Sequence, residues 1–371
     1  MDKKKIGIVS YHSDLNYGTM LQAYALHKAI NMLGVESEYI NYKPCKCYTS
    51  FFFNFRVFIT KKILHKKSSL TYWDTKRFKS TLKAFNAFHN QYIPCSQYYD
   101  IWTVKQSINK YSSFIVGSDQ TWSPYMNRMG NTINFLEFVG TQRKKYSYAP
   151  SIGTTTVDNT YKQILRQKLV TFNKLSCREK KNAEMLKSLL GKKVEYVIDP
   201  TLLLNKDDWN QIAKPVSMPD QYILCYQLGD KECIMNYAEA LGKEKGLPVY
   251  YVLCRPSHLN RPNLLSGIGP QEWLWLINNA NYVVTDSFHG SVFCINFGVN
   301  FYSFTKREES ESTLSNDNDR ILLFLEELSL ANRFKKDVDN SFESDIDFSK
   351  VHSQLEQLRK SSFAYLNSII E

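Results

Sequence analysis

An apolar run at 6–10, a polar loop at 11–18, a 3.6-periodic stretch at 19–33 and a second apolar run at 35–41 follow one another without a break. Leu21, Ala25, Ala29 and Leu33 recur on one helical face and Gly34 supplies a stop, so the segment reads as strand, helix, strand. A β-α-β opening commits the chain to a parallel sheet, because parallel neighbours need a crossover. Strands at 113–116, 145–149 and 175–178 and a helix at 179–190 continue the series. A second series begins near 194, with strands at 196–198, 222–227, 248–254, 281–285 and 300–304. Helices at 233–242 and 269–279, one opening at Gly290, and terminal helices at 322–330 and 351–370 complete it. At 371 residues the chain is too long for one compact α/β unit. The expected fold is α/β: two Rossmann-like domains, 1–190 and 191–371, facing a central cleft.

Residues 46–90 interrupt the rhythm. Phe51, Phe52, Phe53, Phe55 and Phe58 are interleaved with Arg56, Lys61, Lys62, His65, Lys66 and Lys67, which reads as an inserted helical arm. Two uses fit it: a segment resting on an anionic membrane surface, or an insertion packing its phenylalanines against the domain.

The formal charge is +11. Such an excess suits nucleic acid, an anionic membrane or phosphorylated small molecules. No nucleic-acid motif accompanies it, so nucleic acid is not expected as a partner. The apolar run at 6–10 is too short for a secretory signal, and no stretch reaches the roughly 18 apolar residues of a membrane span. The expectation is a soluble cytoplasmic protein. Eight cysteines are scattered, and Cys45 and Cys47 have no second pair at zinc-ligand spacing, so no metal is expected. Phosphate-loop, H-E-x-x-H and G-x-S-x-G patterns are absent, which argues against kinase, zinc-protease and serine-hydrolase chemistry.

The sharpest local feature is Tyr282-Val283-Val284-Thr285-Asp286-Ser287-Phe288-His289-Gly290-Ser291. A buried strand runs into small polar residues and a histidine, and a glycine opens a helix. Ligands of open parallel sheets sit beyond the carboxyl ends of strands, and a helix N-terminus there favours an anion. His289 reads either as a packed capping histidine or as a proton donor.

Five segments in order resemble the polysaccharide pyruvyltransferase family: Asn16-Tyr17-Gly18-Thr19-Met20-Leu21-Gln22-Ala23-Tyr24-Ala25-Leu26, Val116-Gly117-Ser118-Asp119-Gln120-Thr121-Trp122, Ser176-Cys177-Arg178-Glu179, Asp199-Pro200-Thr201-Leu202-Leu203 and Thr285-Asp286-Ser287-Phe288-His289-Gly290. The resemblance implies a glycosyltransferase-B-like arrangement, phosphoenolpyruvate as donor substrate and no cofactor or metal. It implies a sugar acceptor from a surface-polysaccharide precursor, such as capsule or exopolysaccharide, in some cases carried on a polyprenyl diphosphate at the inner face of the plasma membrane.

Carried onto matching positions, the family histidine is His289, with Asp119 as a second catalytic candidate. Arg178, Lys306, Arg307, Ser287 and the Gly290 helix start are the donor-binding candidates. Asn16, Tyr17, Gly18, Ser118 and Gln120 are the acceptor-binding candidates, and His12 belongs to the same loop. The family pattern has Arg two positions before the histidine, where this chain has Ser287. Lys306 or Arg307 then supplies the missing cation, or the substrate differs. Each candidate also has a structural reading: Arg178 paired with Glu179 or Glu184, Asp119 capping a turn, and Lys306 and Arg307 in a solvated run with Glu308, Glu309 and Glu311.

Two other functions fit the same plan: a sugar-nucleotide glycosyltransferase, which Ser287 in place of Arg favours, and a non-catalytic glycan-binding protein. Titration with phosphoenolpyruvate against nucleotide sugars separates the first, and phosphate release with an acceptor present excludes the second.

Overall fold

The computed structural model describes residues 5–43, 76–128, 132–229, 231–255, 258–259, 261–305, 317–335 and 341–371. The first sheet contains β1 (Lys5–Val9), β2 (Glu36–Tyr39), β3 (Ser113–Val116) and β4 (Lys144–Ser147), all parallel, in the order β2-β1-β3-β4. A bridge from Tyr146 to Lys174 carries the edge on to β5 (Leu175–Cys177), which pairs in parallel with β6 (Val194–Tyr196). The sequence reading opens the second domain with a strand at 196–198. β6 pairs with β5 in a two-stranded sheet, so the expected boundary at 190 falls between two paired strands.

The second sheet is parallel throughout. It contains β7 (Ile223–Tyr226), β8 (Val249–Val252), β9 (Leu264–Leu265), β10 (Tyr282–Thr285), β11 (Asn300–Phe304) and β12 (Phe334–Lys335), in the order β12-β11-β10-β7-β8-β9. Its central strands β7 and β10 are buried at every position, as a parallel sheet covered on both faces requires.

Helix α1 (Tyr17–Met32) joins β1 to β2. Asn16 caps it, its Oδ1 accepting the Thr19 N–H at 3.2 Å. The spacing of Leu21, Ala25, Ala29 and Leu33 predicts a one-sided helix. The observed helix is buried on nearly all sides, because it is wedged between its own sheet and the second domain.

Helix α2 (Lys76–Tyr92) covers the end of the inserted arm and turns Phe85 and Phe88 inward. Phe85, Tyr17 and Trp273 form an aromatic stack across the domain boundary, with Tyr17 and Trp273 rings 5.2 Å apart and nearly parallel. The described end of the arm therefore packs on the protein, while Lys76, Arg77, Lys79 and Lys83 stay exposed. The rest of the arm, 46–75, lies outside the described residues.

Helix α3 (Pro124–Arg128) follows β3. Helix α4 (Asn159–Leu169) and α5 (Lys180–Leu190) flank β5, and α6 (Lys206–Asn210) follows the first sheet. The second domain carries α7 (Glu232–Lys245), α8 (Pro270–Asn278), α9 (Phe288–Phe297) and α10 (Asp317–Glu327). The final helix α11 (Phe348–Ile370) returns to the first domain. Its Tyr365 donates to Ser147 O at 2.8 Å, and its Ser362 Oγ accepts the Ile198 N–H at 3.0 Å. One hydrophobic core runs through both domains, from Ile6 and Leu21 through Trp209 to Val283 and Phe293. An apolar interface of this kind fixes the domains relative to each other. Among the described residues no helix is long and apolar enough to cross a membrane.

Candidate active site

Each sheet reverses its strand order once: the first between β1 and β3, the second between β7 and β10. At such a switch point the loops leaving the two strands diverge and open a crevice. The first crevice presents Asn16, Asp119 and Gln120. The second presents Asp286, Ser287 and His289. All six line one cavity between the domains, together with Arg178 from the end of β5 and Arg320 from α10.

Asp199 organises the floor. Its side chain is wholly buried, and Oδ2 lies 2.7 Å from Arg178 Nη1 and 3.6 Å from His289 Nε2. Oδ1 accepts the Thr201 N–H at 3.0 Å and its hydroxyl at 2.7 Å. Burial alone would raise the carboxyl pKa, but His289, Arg178 and the Thr201 N–H hold it far below the usual carboxylate range. Asp199 is thus an anion that fixes a cation on one side and an imidazole on the other.

Arg178 is buried to 6% exposure. Burial disfavours its charge, yet Asp199, Glu179 and Asp119 raise its pKa above the ordinary arginine value. Its guanidinium lies 4.4 Å from the centre of the Phe288 ring, with Arg320 5.9 Å from that ring. Arg178 Nη2 has no hydrogen-bond partner among the described residues. A buried cation with a donor to spare, beside a second buried guanidinium, suits an anionic ligand. A further cavity of about 370 Å³ shares Arg178, Phe288 and Arg320 as a wall.

Helix α9 begins within the site. Ser287 is its N-cap, and Ser287 Oγ accepts the Gly290 N–H at 3.3 Å. The serine standing where the family has Arg therefore caps the helix. The sequence reading gives the Gly290 helix start to an anion, but that N–H is occupied by Ser287. Gly290 has another reason to be glycine: a Cβ there would come within 2.6 Å of Thr285 Oγ1.

On the opposite wall Asp119 has φ 66°, in the left-handed region that non-glycine residues seldom adopt. Its Oδ1 accepts the Gln120 N–H at 2.9 Å, the turn-capping role, while Oδ2 accepts Thr19 Oγ1 at 3.1 Å. Asn16 and Gln120 stand beside it on the cavity wall.

Three acceptor-side candidates do not line this cavity. Tyr17 is 4% exposed and points into the interdomain core, where its hydroxyl donates to Ile268 O at 3.0 Å. Ser118 is fully buried, donating to Ala149 O at 3.0 Å and lying 3.4 Å from Asp199 Oδ2, so it supports the floor. Gly18 lies against the His289 ring rather than against the cavity: a Cβ there would come within 2.0 Å of His289 Nδ1. Lys306 and Arg307 lie outside the described residues.

Two residues were not singled out as site residues from the sequence. Asp199 stands in a quoted motif, but its role appears only when Arg178 and His289 converge on it. Arg320 lies in the first turn of α10, two residues before the Leu322 start that the periodicity gives; a lone Arg ahead of that apolar stretch is the available signal.

A family model, polysaccharide pyruvyl transferase, matches residues 16–305. No curated protein matches the chain in sequence. In fold the chain is similar to a putative UDP-N-acetylglucosamine 2-epimerase from Listeria monocytogenes, at 12% identity and TM-score 0.51 over 99% of this chain and 91% of that one. Similar too are the UDP-GlcNAc 2-epimerase of Methanocaldococcus jannaschii (14%, TM-score 0.40, 96% and 99%) and the ADP-heptose LPS heptosyltransferase II of E. coli (12%, TM-score 0.39, 96% and 99%). The fold is the two-domain Rossmann-like arrangement of glycosyltransferase-B proteins. With most of its length matched by that family model, the chain belongs to the polysaccharide pyruvyl transferase family.

Proposed function

We propose that the protein transfers pyruvate from phosphoenolpyruvate to a sugar of a surface-polysaccharide precursor as a ketal, releasing phosphate. The observation that carries this reading is the pair of buried guanidiniums, Arg178 and Arg320, on the wall of a cavity that His289 also lines. A three-carbon donor bearing both a carboxylate and a phosphate needs two cationic anchors close together. Arg178, oriented by Asp199, grips one anionic group, and Arg320 takes the other in place of the arginine absent at position 287.

His289 gives a proton to the donor's methylene carbon, which becomes a methyl group. The adjacent carbon then forms a bond to an acceptor hydroxyl oxygen, and Asp119 takes that hydroxyl's proton. The bond from this carbon to the phosphate oxygen breaks, phosphate leaves, and a second hydroxyl closes the ketal. Of the two hydroxyl protons, one replaces that given to the methylene and the other leaves with phosphate. Asn16 and Gln120, across the cavity from Arg178, hold the acceptor.

No step assigned to these residues calls for a cofactor. The exposed Lys76, Arg77, Lys79 and Lys83 suit a peripheral contact with the anionic inner face of the plasma membrane, beside a lipid-linked acceptor. Sedimentation with anionic and with neutral liposomes tests that contact; equal binding to both ends it.

The test of the reaction is inorganic phosphate released from phosphoenolpyruvate in the presence of an acceptor glycan. His289→Ala should lower turnover by about 10²–10⁴-fold with the fold intact. Turnover near wild type rejects the role of His289. Binding of a nucleotide sugar with no binding of phosphoenolpyruvate rejects the donor.

A further inference from the structure

We propose that His12, His89 and Cys95 form a binding site for a zinc-class divalent ion at the outer edge of the first sheet, separate from the cleft. One ligand atom from each lies within 4.8 Å of the other two. Cys95 Sγ and His89 Nε2 are 3.7 Å apart. Zinc bonds of about 2.0–2.1 Å to nitrogen and 2.3 Å to sulfur, at a tetrahedral angle, place such a pair roughly 3.5 Å apart. That pair already has the spacing of a ligated one, and a movement of about 1 Å by the third group completes the set.

The imidazole of His12 is prepared for the role. Its Nδ1 lies 3.1 Å from Ser10 O, and a carbonyl only accepts, so Nδ1 carries the hydrogen and Nε2 keeps its lone pair. A backbone carbonyl on the second ring nitrogen is the usual support of a metal-binding histidine, fixing both tautomer and ring orientation. The His12 ring also stacks on Tyr39, centroids 5.2 Å apart and 15° from parallel, and Tyr39 is anchored by its hydroxyl on Ala23 O at 3.0 Å.

The other two ligands are tied to the same place. The Tyr39 N–H donates to Pro94 O at 2.8 Å and the Ser96 N–H to Tyr39 O at 2.8 Å, which holds Cys95 against the end of β2. His89 comes from the last turn of α2. His89 and Cys95 are half-buried, so water can reach a fourth coordination position. None of the three lines the cleft cavity. Chain spacing conceals the site because its ligands come from a loop, a helix end and an edge segment. The loop that carries His12 also delivers Asn16 to the cleft, so an ion here would brace the acceptor wall against α2.

Cobalt(II) titration of the full-length, metal-stripped protein tests the site. One equivalent should give a thiolate-to-cobalt charge-transfer band and the intense visible absorption of a tetrahedral site, with one proton released from the Cys95 thiol. Zinc should displace it and raise the melting temperature. Cys95→Ser should abolish the charge-transfer band, and His89→Gln should weaken binding by roughly 100-fold or more, both with unchanged circular dichroism. A Cys45→Ser/Cys47→Ser variant should keep the band. Absence of the band in the wild type, or a band that survives Cys95→Ser, overturns the proposal. If both single variants misfold, zinc protection of Cys95 from alkylation in the wild type decides: equal labelling with and without zinc also overturns it.

Discussion

Gly18 is the position where the smallest change should separate folding from chemistry. It lies in the first turn of α1, and a Cβ there would fall 2.0 Å from His289 Nδ1, 2.3 Å from Cγ and 2.8 Å from Cε1. Ordinary contact needs about 3.5 Å, so in Gly18→Ala the imidazole must retreat by about 1.5 Å. His289 Nε2 is 3.6 Å from Asp199 Oδ2, and a displacement of that size moves it out of its present relation to the carboxylate. A misplacement of about 1 Å at a reacting group costs roughly 10²-fold in rate, and complete loss of a general acid costs up to about 10⁴. Turnover in Gly18→Ala should fall by about 10² or more, equivalent to about 2.7 kcal/mol of transition-state stabilisation.

Stability should move little. Alanine gains up to about 1 kcal/mol over glycine within a helix, offsetting part of the strain of moving one side chain. The assay pairs phosphate release with the His289 ring resonances in a histidine NMR spectrum, a readout that does not depend on the donor. Wild-type turnover with an unshifted His289 resonance would refute the argument. Lost activity together with a collapsed melting transition would refute its claim that only the site is disturbed.

Asp199→Asn leaves Arg178 buried without its nearest counter-charge. The expected loss is about 3–5 kcal/mol in denaturant unfolding, toward the low end because Glu179 remains 3.4 Å away. Arg320→Ala should raise the KM for phosphoenolpyruvate more than tenfold with Arg320→Lys intermediate, measured by steady-state phosphate release; an unchanged KM removes Arg320 from the donor site. His27 is held neutral by burial, its pKa lowered to about 4, with Nδ1 on Ser37 Oγ and Nε2 facing Asn31 Nδ2, both at 2.9 Å. In the unfolded chain it titrates near 6.5, so below that pH the unfolded state binds the extra proton. Its contribution to stability is complete above about 6.5 and is lost as pH falls toward 4; His27→Gln should flatten that part of the stability–pH curve.

The fold was legible where the sequence carries unbroken apolar runs between turn residues. Strands 113–116 and 300–304 appear with the boundaries expected of them. Helix α4 went unread because only Tyr161, Leu165 and Leu169 face inward, a stripe of three in a polar segment. Its signal was Asp158, the N-cap that accepts the Tyr161 N–H at 2.7 Å. Strand β6 is short, and such a run carries no record of which strand will pair with it. Its true neighbour, β5, lies across a complete helix.

The site was legible as a set of motifs but not as a geometry. His289 could be named from the strand-to-helix turn that carries it together with the family resemblance, and Arg178 from the resemblance. Their connection could not be named, because Asp199 does its work through two groups far from it in the chain. Tyr17 and Gly18 show the opposite limit. Both sit in the loop-to-helix turn beside the cavity, and a helical step of about 100° sends one side chain into the interdomain core while the next position meets the imidazole. The serine at 287 makes the same point chemically. Losing the family arginine reads in one dimension as a lost anion site. In three dimensions, helix α10 brings Arg320 to 5.9 Å from the Phe288 ring centre and onto the same cavity wall as Arg178, while Ser287 caps the helix that carries His289.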